Sequence, residues 1–198
     1  FEIKWDGYRA IAEVDYTEVN LYSRNMNSFN VGFPEVVKAL KELGIQAVLD
    51  GELVALDDNG KSDFHLIQNY RKGAQGHIIY YVFDILYLNG KDLRNLPLIE
   101  RKEILKEVLG KNEVIRYNEH ILEKGKEFFR LAEKNGLEGI IGKKTDSIYS
   151  IGIRSKNWIK IKTEQRQEAV IAGYTEPRNG RKHFGSLVLG VYDGDNLR

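Results

Sequence analysis

Apolar and polar residues alternate from the first position of the chain. Phe1, Ile3 and Trp5 interleave with Glu2, Lys4 and Asp6, which predicts a strand with one apolar face and one face carrying an amine between two carboxylates. Gly7 permits a turn, and Arg9 follows it. Residues 10–14 and 19–23 read as a strand and its return around a turn at 15–18. Residues 33–43 place Val36, Val37 and Leu40 at helical spacing, with Pro34 suited to the first turn and Gly44 to the stop. Residues 46–56 are apolar, broken only by Asp50-Gly51-Glu52, and a turn follows at 57–60. The β-branched and aromatic run 78–88 carries one charge, Asp84, and predicts a central strand. Helices are predicted over 99–109 and 120–135, the second with Ile121, Leu122, Phe128, Phe129 and Ala132 on one stripe. Residues 139–144 and 157–163 read as strands, with a polar loop between them. After a change of composition at 163–167, residues 169–174 and 185–192 give a two-strand signal, which sets a domain boundary near residue 164. There is no internal repeat.

Composition narrows this picture only a little. A chain of 198 residues suffices for one large domain or for one domain and a small one. At that size roughly 70% of the extended-chain surface can be buried. The formal net charge is +1, so a basic surface has to come from local clustering rather than from the total. The absence of cysteine excludes disulfides and thiolate metal sites and fits an intracellular protein. No apolar run has the length of a membrane span, and there is no signal-peptide pattern. Residue 1 already lies inside a predicted strand and the last residues follow a turn, so the chain reads as a fragment cut at both ends.

Several polar residues sit where a core strand would not place them cheaply. Glu52 is flanked by Leu53-Val54-Ala55-Leu56, and Glu138 precedes Gly139-Ile140-Ile141. Lys160 and Lys162 interleave with Ile159 and Ile161, so both amines share a strand face with Trp158. Each strand by itself is most simply a half-exposed strand with a solvated outer face. Together they supply what a lysine nucleophile requires. An ordinary lysine titrates at about 10.4, and neighbouring cations and desolvation lower that value. Lys160 and Lys162 qualify as those neighbours for Lys4 and as holders of a triphosphate. Glu52 and Glu138 are suitable hard oxygen ligands for Mg²⁺. Phe83, beside Asp84, offers a ring on which a base can stack, though such a residue is more often simply core.

Six short motifs in order carry a family resemblance. Glu2-Ile3-Lys4-Trp5-Asp6-Gly7-Tyr8-Arg9 resembles motif I of the covalent nucleotidyltransferases: the ATP-dependent DNA ligases, RNA ligases and mRNA-capping enzymes. Ser23-Arg24-Asn25 resembles motif Ia, Leu49-Asp50-Gly51-Glu52-Leu53 motif III and Val82-Phe83-Asp84 motif IIIa. Glu138-Gly139-Ile140-Ile141 resembles motif IV, and Trp158-Ile159-Lys160-Ile161-Lys162 motif V. Within the superfamily the chain is most similar to the ATP-dependent DNA ligases of the bacterial and archaeal end-joining type, the ligase D class. Ala172-Gly173-Tyr174-Thr175 and Phe184-Gly185-Ser186-Leu187-Val188-Leu189-Gly190 resemble the opening of that class's OB-fold domain.

The resemblance implies an α/β (α+β) fold. An antiparallel-sheet nucleotidyltransferase domain, ATP-grasp-like, would occupy residues 1–163, followed by a truncated OB-fold β-barrel at 164–198. It implies that Lys4 attacks the α-phosphate of ATP and carries AMP, which passes to a DNA 5′-phosphate before the 3′-hydroxyl seals the nick. Glu2 would sit near the adenine and Phe83 would stack on it. Arg9, Arg24 and Arg154 would grip ribose and phosphates, and Lys160 and Lys162 the α-phosphate. Glu52 would contact the ribose and help place Mg²⁺ or Mn²⁺, with Glu138 a metal ligand. The implied partners are nicked or broken double-stranded DNA, end-joining proteins and fused polymerase or nuclease modules, in a prokaryotic cytoplasm at the nucleoid and without a membrane. An RNA ligase or a capping guanylyltransferase is the alternative within the fold, and a non-catalytic nucleic-acid-binding module is the alternative outside enzymes. Two departures stand out: the chain stops before motif VI, and Tyr149-Ser150-Ile151-Gly152 lacks a proline common in the ligase D group.

Overall fold

In the computed structural model, residues 1–70, 76–153, 155–163, 168–177, 180 and 182–198 are described. The chain divides into two compact units, Phe1–Thr163 and Glu164–Arg198. The first is a mixed α/β unit built on antiparallel sheets. Its strands are β1 (Glu2–Ile3), β2 (Tyr8–Asp15), β3 (Glu18–Ser23), β4 (Gln46–Leu56), β5 (His77–Leu88), β6 (Lys91–Asp92), β7 (Ile115–Tyr117), β8 (Gly139–Lys143) and β9 (Trp158–Lys162). Its helices are α1 (Pro34–Glu42), α2 (Phe64–Asn69), α3 (Leu98–Leu109) and α4 (Gly125–Lys134).

The larger sheet has six strands in the order β3-β2-β4-β5-β6, with β7 added parallel to β5. Alternation along β2, β4 and β5 separates its two faces. Ala10, Ala12, Leu49, Leu53, Tyr80 and Val82 point into the main core, where Phe33, Val36 and Leu40 of α1 and Leu105 and Leu109 of α3 cover them. Arg9, Glu52, Val54, Tyr81 and Phe83 fall on the other face by the same alternation. Val54, Leu56, Ile79 and Tyr81 form a second, smaller cluster there, packed against Trp5. The smaller sheet has the order β1-β8-β9 and brings the motif I, IV and V segments together.

Two glycines mark close approaches. Gly7 does not serve a left-handed turn; a Cβ at this position would strike the Leu53 carbonyl of β4. Gly139 combines a φ of +145° with the Ile161 carbonyl, which stands where its Cβ would lie. These residues let β2 start against β4 and β8 lie flat on β9.

The structure departs from the sequence pattern in three places. The strand predicted through residue 6 ends at Ile3, and Lys4 to Gly7 form an irregular connection. The helix predicted over 120–135 begins only at Gly125. Residues 120 and 121 pair along β1 instead, through a Glu2–His120 bridge and an Ile121 N–H bond to the Phe1 carbonyl. Glu123 and Lys124 then take positive φ, which a helix excludes. Helix α2, capped by the Asp63 carboxylate accepting from the His65 N–H, has no counterpart in the sequence reading because its apolar run is too short to carry a period.

The second unit holds β10 (Val170–Tyr174) paired antiparallel with β11 (Leu187–Gly190) through a bulge, and β12 (Tyr192–Asp193) paired with β13 (Asn196–Leu197). Among the described residues no helix is long and apolar enough to cross a membrane.

Candidate active site

Lys4 stands directly after β1, where its N–H donates to the Gly139 carbonyl of β8 at 3.0 Å. Its amine pairs with one oxygen of Glu138, and the Lys162 amine reaches the other at 3.1 Å. Partial burial opposes the Glu138 charge, but hydrogen bonds from Lys4 and Lys162 outweigh it and hold the carboxyl below its ordinary value. Lys160 lies two residues before Lys162 on the same strand face. Desolvation pushes the Lys160 amine down, and the charges of Lys4, Arg24 and Arg9 add to the effect while Glu52 opposes it. Residues from the start, the first hairpin, β4 and the end of the unit thus act on one another electrostatically.

The larger sheet supplies the facing wall. Arg9 of β2 and Glu52 of β4 are cross-strand partners. Burial raises the Glu52 carboxyl to about 7, against the pull of Lys4 and Arg9. Its folded-state value lies above the ordinary 4.5. The protein therefore holds this proton more tightly folded than unfolded. Its contribution to stability is complete below about 4.5 and is lost as pH rises through about 7. Glu52→Gln removes that loss. We expect the variant to match the parent in thermal unfolding near pH 4.5 and to exceed it by on the order of 3 kcal/mol at pH 8 without nucleotide. A difference independent of pH would exclude this placement of the carboxylate.

Arg9 is not a free cation. Its guanidinium forks onto the fully buried Asp50 at 3.0 and 2.6 Å, and the Tyr149 hydroxyl donates to the same carboxylate at 2.8 Å. Phe83 occupies the extra position of a β-bulge between Asp50 and Gly51 of the partner strand. Its ring meets Trp158 edge-on at 5.7 Å, and Lys143 places its amine 4.2 Å from the Phe83 ring centre and 4.0 Å from that of Trp158. Glu2 is 1% exposed and does not meet Lys4's amine. Its carboxylate is held by Lys102 at 2.8 Å, Lys143 at 2.8 Å and the Asn118 amide at 2.9 Å. These cations outweigh the effect of burial and keep Glu2 ionised.

Of the residues singled out from the sequence, Lys4, Glu138 and Lys162 are in direct contact. Arg9, Arg24, Glu52 and Lys160 share an electrostatic neighbourhood with them. Phe83 lies under Arg9 and Lys143, Glu2 is set behind in its own cluster, and Arg154 lies outside the described residues. The sequence reading passed over Asp50, Tyr149, Asn118, Lys102 and Lys143 as site components. Asp50 carried a signal, being a second acid two residues from Glu52 on one face of an apolar strand. The other four become visible only when distant segments meet.

Comparison with known proteins places the chain among ligase domains in sequence and fold. The profile of the ATP dependent DNA ligase domain family matches residues 1–162. The chain is 42% identical over its whole length to the multifunctional non-homologous end joining protein LigD of Pseudomonas aeruginosa, covering 24% of that protein. It is 34% identical to a DNA ligase of Thermococcus fumicolans over 98% of its own length and 38% of the relative's. The crystal structure of the ligase domain from M. tuberculosis LigD superposes with a TM-score of 0.75 at 32% identity, covering 100% of this chain and 63% of that one. A mycobacterial DNA ligase D complexed with ATP and MES gives 0.74 at 32% identity, over 96% and 60%. The chain spans about a quarter of the length of the LigD relatives it matches. The motif order and the profile matched over residues 1–162 assign the chain to the ATP dependent DNA ligase domain family.

Proposed function

We propose that this chain is the catalytic core of an ATP-dependent DNA ligase that seals nicks during end joining. The observation that carries the reading is the Lys4 amine seated between Glu138 and the cations of β9, opposite Glu52 and Arg9. Lys4 Nζ gives up a proton and attacks the α-phosphorus of ATP. The N–P bond forms, the bond to pyrophosphate breaks, and AMP stays on the lysine. A DNA 5′-phosphate takes the AMP, and the 3′-hydroxyl across the nick displaces it. Lys160 and Lys162 hold the α-phosphate and offset the charge that builds there. Arg9, Arg24 and Arg154 grip ribose and phosphates, Phe83 receives the adenine ring and Glu2 lies near its edge. The ATP-bound mycobacterial ligase D and the end-joining names of the LigD relatives support nucleotide and pathway.

A divalent ion, Mg²⁺ or Mn²⁺, belongs to this reading. Among the described residues no group of three or more acidic, histidine or cysteine ligands stands together. Two carboxylates, Glu52 and Glu138, fit an ion that takes one or two protein oxygens and fills its shell with phosphate oxygens and water. Bound there, the ion would neutralise phosphate charge. The residues at 164–198 would open an OB-fold domain, for which the bulged β10–β11 hairpin is suitable. The substrate is nicked or broken duplex DNA in a prokaryotic cytoplasm, with end-joining proteins and fused polymerase or nuclease modules as partners.

Nucleotide choice tests this. Incubated with magnesium and either ATP or GTP, the full-length protein should gain the mass of AMP on the Lys4 peptide with ATP only. A GTP preference would point to a capping-type enzyme. Sealing of nicked RNA in preference to nicked DNA would point to an RNA ligase.

A further inference from the structure

Lys4 lies in a connection without regular structure, between the end of β1 and the start of β2. Its backbone N–H is held by the Gly139 carbonyl. One buried side chain bridges its two flanks. Asn118, 3% exposed, donates through Nδ2 to Glu2 Oε2 at 2.9 Å and accepts at Oδ1 from Trp5 Nε1 at 2.9 Å. Trp5 is the next residue after Lys4, and Glu2 lies two before it. We propose that Asn118 is a positioning residue for the nucleophile, clamping both sides of Lys4 through one amide.

The chemistry of the partners dictates the residue. A carboxylate accepts only and an indole N–H donates only, so the group between them must donate on one side and accept on the other. An amide of Asn length does both. Asn118 is itself anchored: its N–H bonds the Val82 carbonyl of β5 at 2.7 Å, and its carbonyl accepts from the Lys102 amine at 3.2 Å. Trp5 is anchored too, stacked on Tyr81 with ring centres 4.0 Å apart and planes 10° apart. The amide therefore ties the Lys4 connection to β5, the strand that also carries Phe83. A nucleophile on a four-carbon side chain must be held to a fraction of an ångström for in-line attack, and a misplacement of about 1 Å costs on the order of 100-fold.

The inference rests on Lys4 being the nucleotide acceptor, and the test separates the two. Single-turnover formation of the Lys4 adduct is measured in the full-length protein across ATP concentrations. Three variants are compared with the parent: Asn118→Asp, which keeps the acceptor for Trp5 but sets a carboxylate against Glu2; Asn118→Leu, which loses both bonds; and Trp5→Phe, which keeps stacking and loses the donor. We expect the rate at saturating ATP to fall roughly 10- to 100-fold in each. The final adduct yield and the half-saturating ATP concentration should stay within about two-fold, and Asn118→Leu with Trp5→Phe should cost no more than Asn118→Leu alone. If Asn118 only supports the fold, the yield and melting temperature fall while the saturated rate of the folded fraction holds. That result, or a loss confined to half-saturation, overturns the proposal. Should the Asn118 variants not fold, Trp5→Phe decides it by the same criteria. A parent that forms no adduct at Lys4 refutes the ligase reading instead.

Discussion

Lys4→Ala will leave the protein folded and without any nucleotide adduct. The side chain contributes one amine to Glu138, and Glu138 keeps Lys162 as a partner after the change. Both side chains are largely buried, but the change does not strand Glu138, so the lost contact costs on the order of 1 kcal/mol. The covalent step, by contrast, would have no substitute, because Lys160 and Lys162 project from another strand and in the proposed reading would hold the phosphate rather than replace the acceptor. The loss should therefore exceed about 10³-fold, limited by the detection of the label. Lys4→Arg makes the result sharper. A guanidinium can keep the contact with Glu138, yet it stays protonated and does not attack phosphorus. If Lys4→Arg is as inert as Lys4→Ala while both melt like the parent, the lysine acts as a nucleophile rather than as a charge. An adduct surviving in either variant would locate the chemistry on another residue.

Much of this arrangement was legible in the sequence because strands repeat every two residues. Lys160 and Lys162 share a face by that rule, and Glu52 announced itself by interrupting an apolar run. The first strand misled for the same reason. Its alternation suggested a polar rim, with Glu2 beside Lys4. The chain instead leaves the strand at Ile3, and Glu2 turns inward to meet Lys102 of α3 and Lys143 of β8. A buried carboxylate and an exposed one read alike until its cations are known, and those lie about 100 and 141 positions away. Asn118 was hidden for a related reason: a lone amide between a short strand and a turn has no period to betray it. Residues 120–124 show local preference yielding to tertiary pairing, where the apolar stripe was real but the backbone was claimed by β1.

Arg101→Met should cost the most stability of any single change at a charged residue. Arg101 and Asp84 are both fully buried, and the guanidinium forks onto the carboxylate at 2.7 and 2.9 Å. Its remaining N–H groups bond the carbonyls of Leu96 and Ser147, so one side chain joins β5, the approach to α3 and the loop after β8. Removing it strands Asp84 in the middle of β5, and breaking a buried pair on one side costs about 3–5 kcal/mol. Against a total of roughly 5–15 kcal/mol this is enough to shift a guanidinium midpoint visibly. The deficit should also depend on pH. Burial already pushes the Asp84 carboxyl above its ordinary value even with Arg101 beside it. Without Arg101 the folded-state value rises further, so the variant folds best where Asp84 is protonated and loses ground as pH increases. Unfolding at pH 5 and pH 8 should therefore give a smaller deficit in acid. Asp84→Leu added to Arg101→Met should recover part of the loss, because a stranded charge costs more than an apolar pair. The same loop carries Tyr149, whose hydroxyl holds Asp50 and through it Arg9. Loosening it should thus weaken ATP saturation in the folded fraction as well. A variant within about 1 kcal/mol of the parent at both pH values would mean that water reaches Asp84 and that this buried strut is not what ties the loop to the sheet.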